Sequence, residues 1–488
     1  MDSATIDSVE SEFPKSCGVI VPGPGTELHR VMARWSDVGL SRPALIVTPT
    51  TREDVIAAIQ YATTHGLQVV PGGGGHGVAV PIHSRTLYLN MRMFNHVAVD
   101  TTNSLVTFGG GATNEEVLDA CVKEGYYTVI ANSGAVGMVG MVLGGGFSLF
   151  SGMHGLPIDH VESVEVIIAS GKVLNLDSSS KGEDGALFNT ICGGGNGLGV
   201  VTNMTMRAFP ITPLKLEEGN KIWTRRLVFP GPAIEDVVKL FLSLTPTPQM
   251  QPLLMLVRAP PTAPTPEMPL ILLTLTYCGS AHDAELFSRE AKLHELRSAI
   301  SDQTCLTPLG DFFEGTKALN AHGDFKEQHS ARTMNLSPTS LVKAFYRWQQ
   351  FGEEVQDARA HTIALFTMYS PEVTIKNGTC DTNKRKPFLG RNRPFFSQTI
   401  KWYSKEETKA LADKYSTDMM CIIREDDASS GLRPITLPNN MQIGSDLGEG
   451  YSSEMISVMK NLRAVWDERS LFCGLGDKVE KLPTEFAP

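Results

Sequence analysis

Four glycine-rich clusters within about 130 residues constrain this chain more than any other feature. They are "PGGGGHG" at Pro71–Gly77, "FGGGAT" at Phe108–Thr113, "SGAVGMVGMVLGGGF" at Ser133–Phe147 and "ICGGGNGLGVVTN" at Ile191–Asn203. A glycine held in a folded segment costs roughly 0.5–1 kcal/mol relative to alanine, so such density implies a close approach of backbone to backbone or to a ligand. Successive N–H groups in turns of this kind form concavities suited to a diphosphate. One cluster alone reads as tight strand packing. Four, one of them holding His76, point to a large phosphate-bearing cofactor. Gly72, Gly74 and Gly77 formally satisfy GxGxxG, yet that fingerprint needs a helix directly after it. Here "VAVPIHSRTLYLN" follows, with Pro81 and a β-rich run, which argues against an ordinary dinucleotide site.

Around the clusters the chain alternates short strands and helices. "ALIVTPT" reads as a strand, and "TREDVIAAIQYATTHG" as a helix capped by Thr51 and closed by Gly66. "LQVVP" is the next strand and runs straight into the first cluster; "RTLYLNM" and "SLVTFGGG" are further strands. "TNEEVLDACVKEG" is a helix with a cap at Thr113, and "VESVEVIIASGKVLNLD" a hairpin through Ser170-Gly171. After Pro210 the texture changes: proline is dense between Pro246 and Pro269, and the segments "AHDAELFSREAKLHELRSAI" and "PTSLVKAFYRWQQFGEEV" read as longer helices among strands such as "LILLTLTYCG" and "HTIALFTMYS". A third texture begins near Asn440 and contains the helix "SSEMISVMKNLRAVWDE". A length of 488 residues favours two or three domains.

Charge and cysteine usage narrow the class. The formal net charge of −10, with no block of lysine or arginine, argues against a nucleic-acid or anionic-membrane partner. No apolar run reaches the length of a membrane span. The opening "MDSATIDSVESEFPKSC" is acidic and polar, unlike a secretory signal, so a cytoplasmic or other intracellular location is expected. Eight scattered cysteines without a CxxC pair predict buried thiols rather than a disulfide framework or a metal site.

The order of these motifs resembles the flavoproteins of the vanillyl-alcohol-oxidase type, in the berberine-bridge-enzyme-like branch and close in flavour to fungal biosynthetic oxidases. "PTTREDVIAAIQYATTHGLQVVPGGGGHG" is similar to the family's N-terminal signature. "SGAVGMVGMVLGGGFSLFSGMHGLPIDHV" matches its CxxVGxxGxxxGGG step, and "EDGALFNTICGGGNGLGVVTNMTMRAFP" its closing GGGxxxGxV run. "DLGEGYSSEMISVMKNLRAVWDERSLF" resembles its final helix. The resemblance implies an α+β fold. A two-part, PCMH-type FAD domain would comprise residues 1–210 (core 41–210) and a returning segment 440–488. A substrate domain with an antiparallel sheet and helices would occupy 211–439.

For the site, the resemblance implies FAD bonded covalently from His76 to the flavin 8α-methyl carbon. Gly72, Gly73, Gly74, Gly75 and Gly77 would lie against the cofactor. Ser133, Gly134, Gly137, Gly140, Gly144, Gly145, Gly199 and Val201 would complete its binding residues. Ser133 stands where many members have a second, cysteine anchor, so attachment through His76 alone is expected. Pro71 and Gly77 replace a common arginine and serine. His154, in "SGMHGLPID", is expected to support the FAD loop.

The implied activity is FAD-dependent oxidation of a small, largely apolar metabolite of secondary-metabolite type, with electrons passing to O₂. The alternative is a redox-neutral cyclase in which FAD is mainly structural. Some relatives carry a catalytic glutamate on the strand resembling "RNRPFFSQTIKWYSKEE", where this chain offers Ser397 and Gln398. Tyr369, Gln398, Tyr403 and Tyr451 remain as candidates, and no base is named.

Overall fold

The computed structural model describes residues 8–379 and 387–477. Residues 1–7, Cys380 and the end of the 440–488 segment lie outside the described residues.

Three sheets organise the chain. The first has four strands in the order Gly18–Ile20, Leu45–Thr48, Thr86–Asn90, Gln68–Gly72, with the last three parallel. Between Leu45–Thr48 and Gln68–Gly72 runs the helix Arg52–His65. Its Thr51 hydroxyl accepts from the Asp54 N–H at 3.2 Å, and Gly66 ends it at φ +63°. Local chemistry therefore sets both ends of this element. Its buried face (Val55, Ala58, Ile59, Ala62) packs on Val47, Val69 and Leu87.

The second sheet is antiparallel and five-stranded, ordered Val97–Asp100, Leu105–Gly109, Val200–Arg207, Val161–Ile167, Val173–Asp177. Its outermost pair is joined through Gly171 at φ +79°. Helices Asn114–Lys123, Met138–Leu143 and Gly182–Gly194 pack with it around Phe108, Leu118, Met138, Leu187 and Met204.

The third sheet has seven antiparallel strands, in the order Ser301–Pro308, Lys221–Pro230, Pro269–Tyr277, Met250–Arg258, Ile363–Met368, Phe395–Tyr403, Phe325–Thr333. Side chains alternate across it with the strand period of two. Leu254, Leu256, Ala364 and Phe366 face a core shared with helices Ile234–Ser243, Pro338–Glu354 and Lys409–Ser429. Leu253, Met255, Leu365 and Thr367 face the other way. The proline-dense stretch thus contains a central strand. Its ladder to Ile363–Met368 begins at Leu253, one residue past Pro252, whose carbonyl accepts the Thr367 hydroxyl at 2.7 Å.

One expected helix is shorter than read. "AHDAELFSREAKLHELRSAI" is helical only over Ala281–Glu290, because Lys292 turns to φ +54° and Leu293 is buried. After the helix Ser453–Trp466 the chain returns to the first sheet. The Val69 N–H donates to the Leu471 carbonyl at 2.8 Å, and Leu471 and Phe472 join the core around Val47.

The expectation of buried thiols holds for Cys121, Cys192, Cys278 and Cys473, but Cys17 is half-buried and Cys305 and Cys421 are exposed, on an outer strand and a helix surface. Among the described residues no cluster of His, Cys, Asp or Glu could hold a metal, and no helix is long and apolar enough to cross a membrane.

Candidate active site

A cavity of about 430 Å³ lies between the glycine loops and the free face of the seven-stranded sheet. Gly72–Gly77, Ser133, Gly137, Gly140, Gly199 and Val201 form one wall. Gln251, Leu253, Met255, Leu365, Gln328 and Gln398 belong to the other.

The two main glycine loops press against each other. A Cβ on Gly74 would strike the Gly137 nitrogen and come within 2.5 Å of the Ala135 carbonyl oxygen; one on Gly137 would reach the Gly74 nitrogen at 2.6 Å. A Cβ on Gly72 would collide with the Tyr88 hydroxyl, and one on Gly75, at φ +73°, with the Ala33 carbonyl. Protein packing alone therefore demands these glycines. Gly77 and Gly140 differ: both line the cavity, and a Cβ on either would meet nothing within 4 Å. No other part of the described chain occupies the space beside them.

The His76 imidazole sits in this wall. Both ring nitrogens are buried without a hydrogen-bond partner. The ring stacks on the Trp35 indole, with centroids 5.2 Å apart and planes 14° from parallel. Burial, then the neighbouring His322 and Lys326, lower its pKa from 6.5 to about 3, so it is neutral at physiological pH. A buried, neutral and unpaired imidazole is available as a nucleophile. The unpaired imidazole and the glycine-lined wall fit a flavin cofactor. Ser133 Oγ, in the same wall, donates to Asn320 Oδ1 at 2.8 Å.

The opposite wall is uncharged. Leaving His76 aside, Arg34 is the one ionisable base or acid among the described wall residues bearing a formal charge, and its guanidinium is spent on the carbonyls of Gly77, Ser36 and Val38. Gln398 Nε2 and Asn440 Nδ2 both donate to Gln328 Oε1, at 2.9 and 2.8 Å. Asn439 clasps the glycine loop: its Oδ1 accepts from the Gly146 N–H at 2.9 Å, and its Nδ2 donates to the Met141 carbonyl at 2.9 Å.

Several residues singled out in the sequence stand elsewhere. Of the four candidates for catalysis, Gln398 alone lines the cavity. Tyr403 has the opposite strand parity and packs in the helix-covered core. The Tyr451 hydroxyl donates to the Gly193 carbonyl at 2.8 Å, and Tyr369 is paired with Arg332. Gly134, Gly144 and Gly145 lie behind the wall: a Cβ on Gly134 would come within 2.9 Å of Phe313, one on Gly144 would meet Asn439, and Gly145 is at φ +100°. His154 is not at the cavity. It stacks on Phe209 at 3.8 Å and bonds the Tyr127 hydroxyl at 2.8 Å, which places it in an aromatic core. The sequence reading missed Arg34, Trp35, Gln328, Asn439 and Asn440. No motif marks them, although the Asn439-Asn440 pair directly precedes the change of texture at residue 440.

Residues 43–177 match the model of an FAD binding domain. The chain is 25% identical to the FAD-linked oxidoreductase hasG of Aspergillus fumigatus over 91% of its own length and 93% of that protein. Against the FAD-linked oxidoreductase azaL of Aspergillus niger the match is 26% and spans about half of each chain, 51% here and 52% there. Among solved structures, BBE-like 1 of Physcomitrella patens superposes with a TM-score of 0.75 at 17% identity, covering 95% of this chain and 97% of that one. Glucooligosaccharide oxidase of Acremonium strictum, described with a 6-S-cysteinyl, 8α-N1-histidyl FAD, gives 0.71 at 16% identity over 94% and 96%. These two share the α+β fold of PCMH-type FAD oxidases. The domain match, the fungal relatives and the geometry of the glycine wall together support an FAD-dependent oxidoreductase, and the solved structures show that the chain shares the fold of berberine-bridge-enzyme-like proteins.

Proposed function

We propose that the chain is an oxidase that takes a hydride from a small, uncharged and largely apolar metabolite and passes the electrons to O₂, with FAD attached through His76 alone. The observation that carries this reading is the His76 imidazole, buried, neutral and without a partner on either nitrogen in a wall of glycine loops. Ser133 supports single attachment, since its hydroxyl cannot form a thioether and is bonded to Asn320. In this reading residues 1–210 and 440–488 hold the cofactor and 211–439 the substrate. Gly72–Gly75, Gly77, Ser133, Gly137, Gly140, Gly199 and Val201 surround the flavin.

FAD supplies a hydride acceptor when bound. The chain's own residues orient the substrate and exclude water. The amides of Gln251, Gln328, Gln398 and Asn440 can hydrogen-bond a neutral polar group, and Leu253, Met255, Leu365 and Phe396 cover the apolar remainder. An ionised substrate would be desolvated there without a counter-charge, a cost of several kcal/mol.

The test is the visible spectrum of purified protein before and after acid precipitation, followed by anaerobic mixing with neutral aromatic alcohols. Yellow colour kept in the pellet, bleaching on mixing and H₂O₂ on readmitting air are the expected results. Colour released to the supernatant would remove the covalent attachment, and conversion without bleaching would remove the oxidase.

A further inference from the structure

We infer that the segment Ala33–Ser36, which precedes the matched FAD-binding region, positions His76 for its attachment to flavin, with Trp35 as the positioning residue. The inference rests on the covalent reading of His76 given above.

The segment grips the first glycine cluster on both sides of the histidine. The Trp35 N–H donates to the Gly75 carbonyl at 3.0 Å, and Arg34 Nη1 donates to the Gly77 carbonyl at 2.7 Å. The Ala33 carbonyl accepts the Tyr88 hydroxyl at 2.7 Å and lies where a side chain on Gly75 would be. The backbone at 75 and 77 is thereby fixed, but the imidazole between them has no hydrogen bond to set its rotation. The Trp35 face supplies that restraint through the stacked contact.

The indole is itself immobilised from the substrate side. Its Nε1–H donates to the Leu319 carbonyl at 2.8 Å, and the Lys326 ammonium lies 5.0 Å from its ring centre. Its edges pack on Met255, Ile363 and Ile400. Ser36 Oγ accepts the Lys326 N–H at 2.8 Å, and the Asp37 N–H donates to the Asp324 carbonyl at 2.8 Å. Both lobes thus contribute to the pose of one imidazole.

Stacking restrains the ring without occupying either nitrogen, which is what a nucleophile needs. Attachment forms one N–C bond to the 8α-methyl carbon and breaks one methyl C–H and one imidazole N–H bond. The two protons and two electrons released pass to the ring system and then to O₂, which leaves as H₂O₂.

The experiment follows flavin in native full-length protein and in its acid-precipitated pellet, as a function of time after adding FAD. Wild type is compared with Trp35→Phe, Trp35→Leu and His76→Ala. Trp35→Leu, which fills space but offers no ring face, is expected to bind flavin normally while its pellet-bound fraction rises at least tenfold more slowly. Trp35→Phe is expected to stay near wild type. Should the leucine variant not fold, Trp35→Met replaces it. Wild-type kinetics in the non-aromatic variant would overturn the inference, as would equal slowing by phenylalanine and leucine. Acid-stable flavin in His76→Ala would instead overturn the covalent reading itself, independently of Trp35.

Discussion

The two walls of the cavity are made of different material. The glycine wall, which the proposed function gives to the cofactor, is mostly backbone: loops packed against one another, as Gly74 is against Gly137. The opposite wall, which the proposed function gives to the substrate, is side chain, with amide and aliphatic groups projected from four strands of one sheet. Where backbone meets backbone, as at Gly74 and Gly137, no side chain fits, whereas a wall of side chains can be rewritten without moving a strand. In the proposed reading, the difference would separate what holds the cofactor from what selects the substrate.

Gly74 is the position at which the two walls should differ most in their response to substitution. Gly74→Ala drives a Cβ into the backbone of the facing loop, which cannot rotate away. Overpacking of this kind costs typically 1–3 kcal/mol or more, and flavin content is expected to fall at least tenfold. Gly77→Ala, with open space, is expected to keep folding stability within about 0.5 kcal/mol. Flavin content and thermal midpoints of both variants decide the matter; equal behaviour would mean the loops are not in contact.

On the opposite wall, Gln328→Leu strips the shared acceptor from the Gln398 and Asn440 amides. Leaving buried donors unpaired costs about 1–3 kcal/mol. The expected result is a loss of roughly tenfold in kcat/KM with an unchanged flavin-to-protein ratio. A parallel loss of flavin would show that the amides serve the cofactor.

Legibility in the sequence divides along the same line. The helix Arg52–His65 was readable to the residue because Thr51, Asp54 and Gly66 carry its signals locally. The glycine wall was readable because runs of glycine have few other uses. Gly134, Gly144 and Gly145 resemble their neighbours in sequence, and only the packing of Phe313 and Asn439 sets them apart. The substrate wall was not legible, since Gln251, Gln328 and Gln398 come from strands at least 70 residues apart and meet only through sheet order. Strand parity decides between Gln398 and Tyr403, and nothing in composition reveals which parity faces the cavity. A dense run of prolines hid the strand Met250–Arg258.

A smaller effect sharpens the contrast between two histidines, one in the wall and one in the core. His154 has its pKa lowered from 6.5 to about 3, first by burial and then by His160. Above pH 6.5 both folded and unfolded forms are neutral, and nothing is gained or lost. Between 6.5 and 3 the unfolded chain binds the proton and the native protein does not, so stability falls as pH falls. The slope is at most about 1.4 kcal/mol per pH unit for this group. Denaturant titrations from pH 7 to 4 are expected to show a shallower decline for His154→Phe, with flavin content unaffected. An unchanged slope would place the titration on other groups.

The grip of distant segments on the glycine loops also bears on how the enzyme matures. Trp35 is held by Leu319, the Met141 and Gly146 loop by Asn439, and Val69 by Leu471 and Cys473. A ribosome delivers residues in order at roughly 5–20 per second. The residues that would clasp the cofactor therefore emerge well before their supports at Asn439 and Leu471. If the glycine loops hold FAD as proposed, loading with flavin is expected to require these later segments, and a fragment ending before Asn439 is expected to be a poor carrier of the coenzyme.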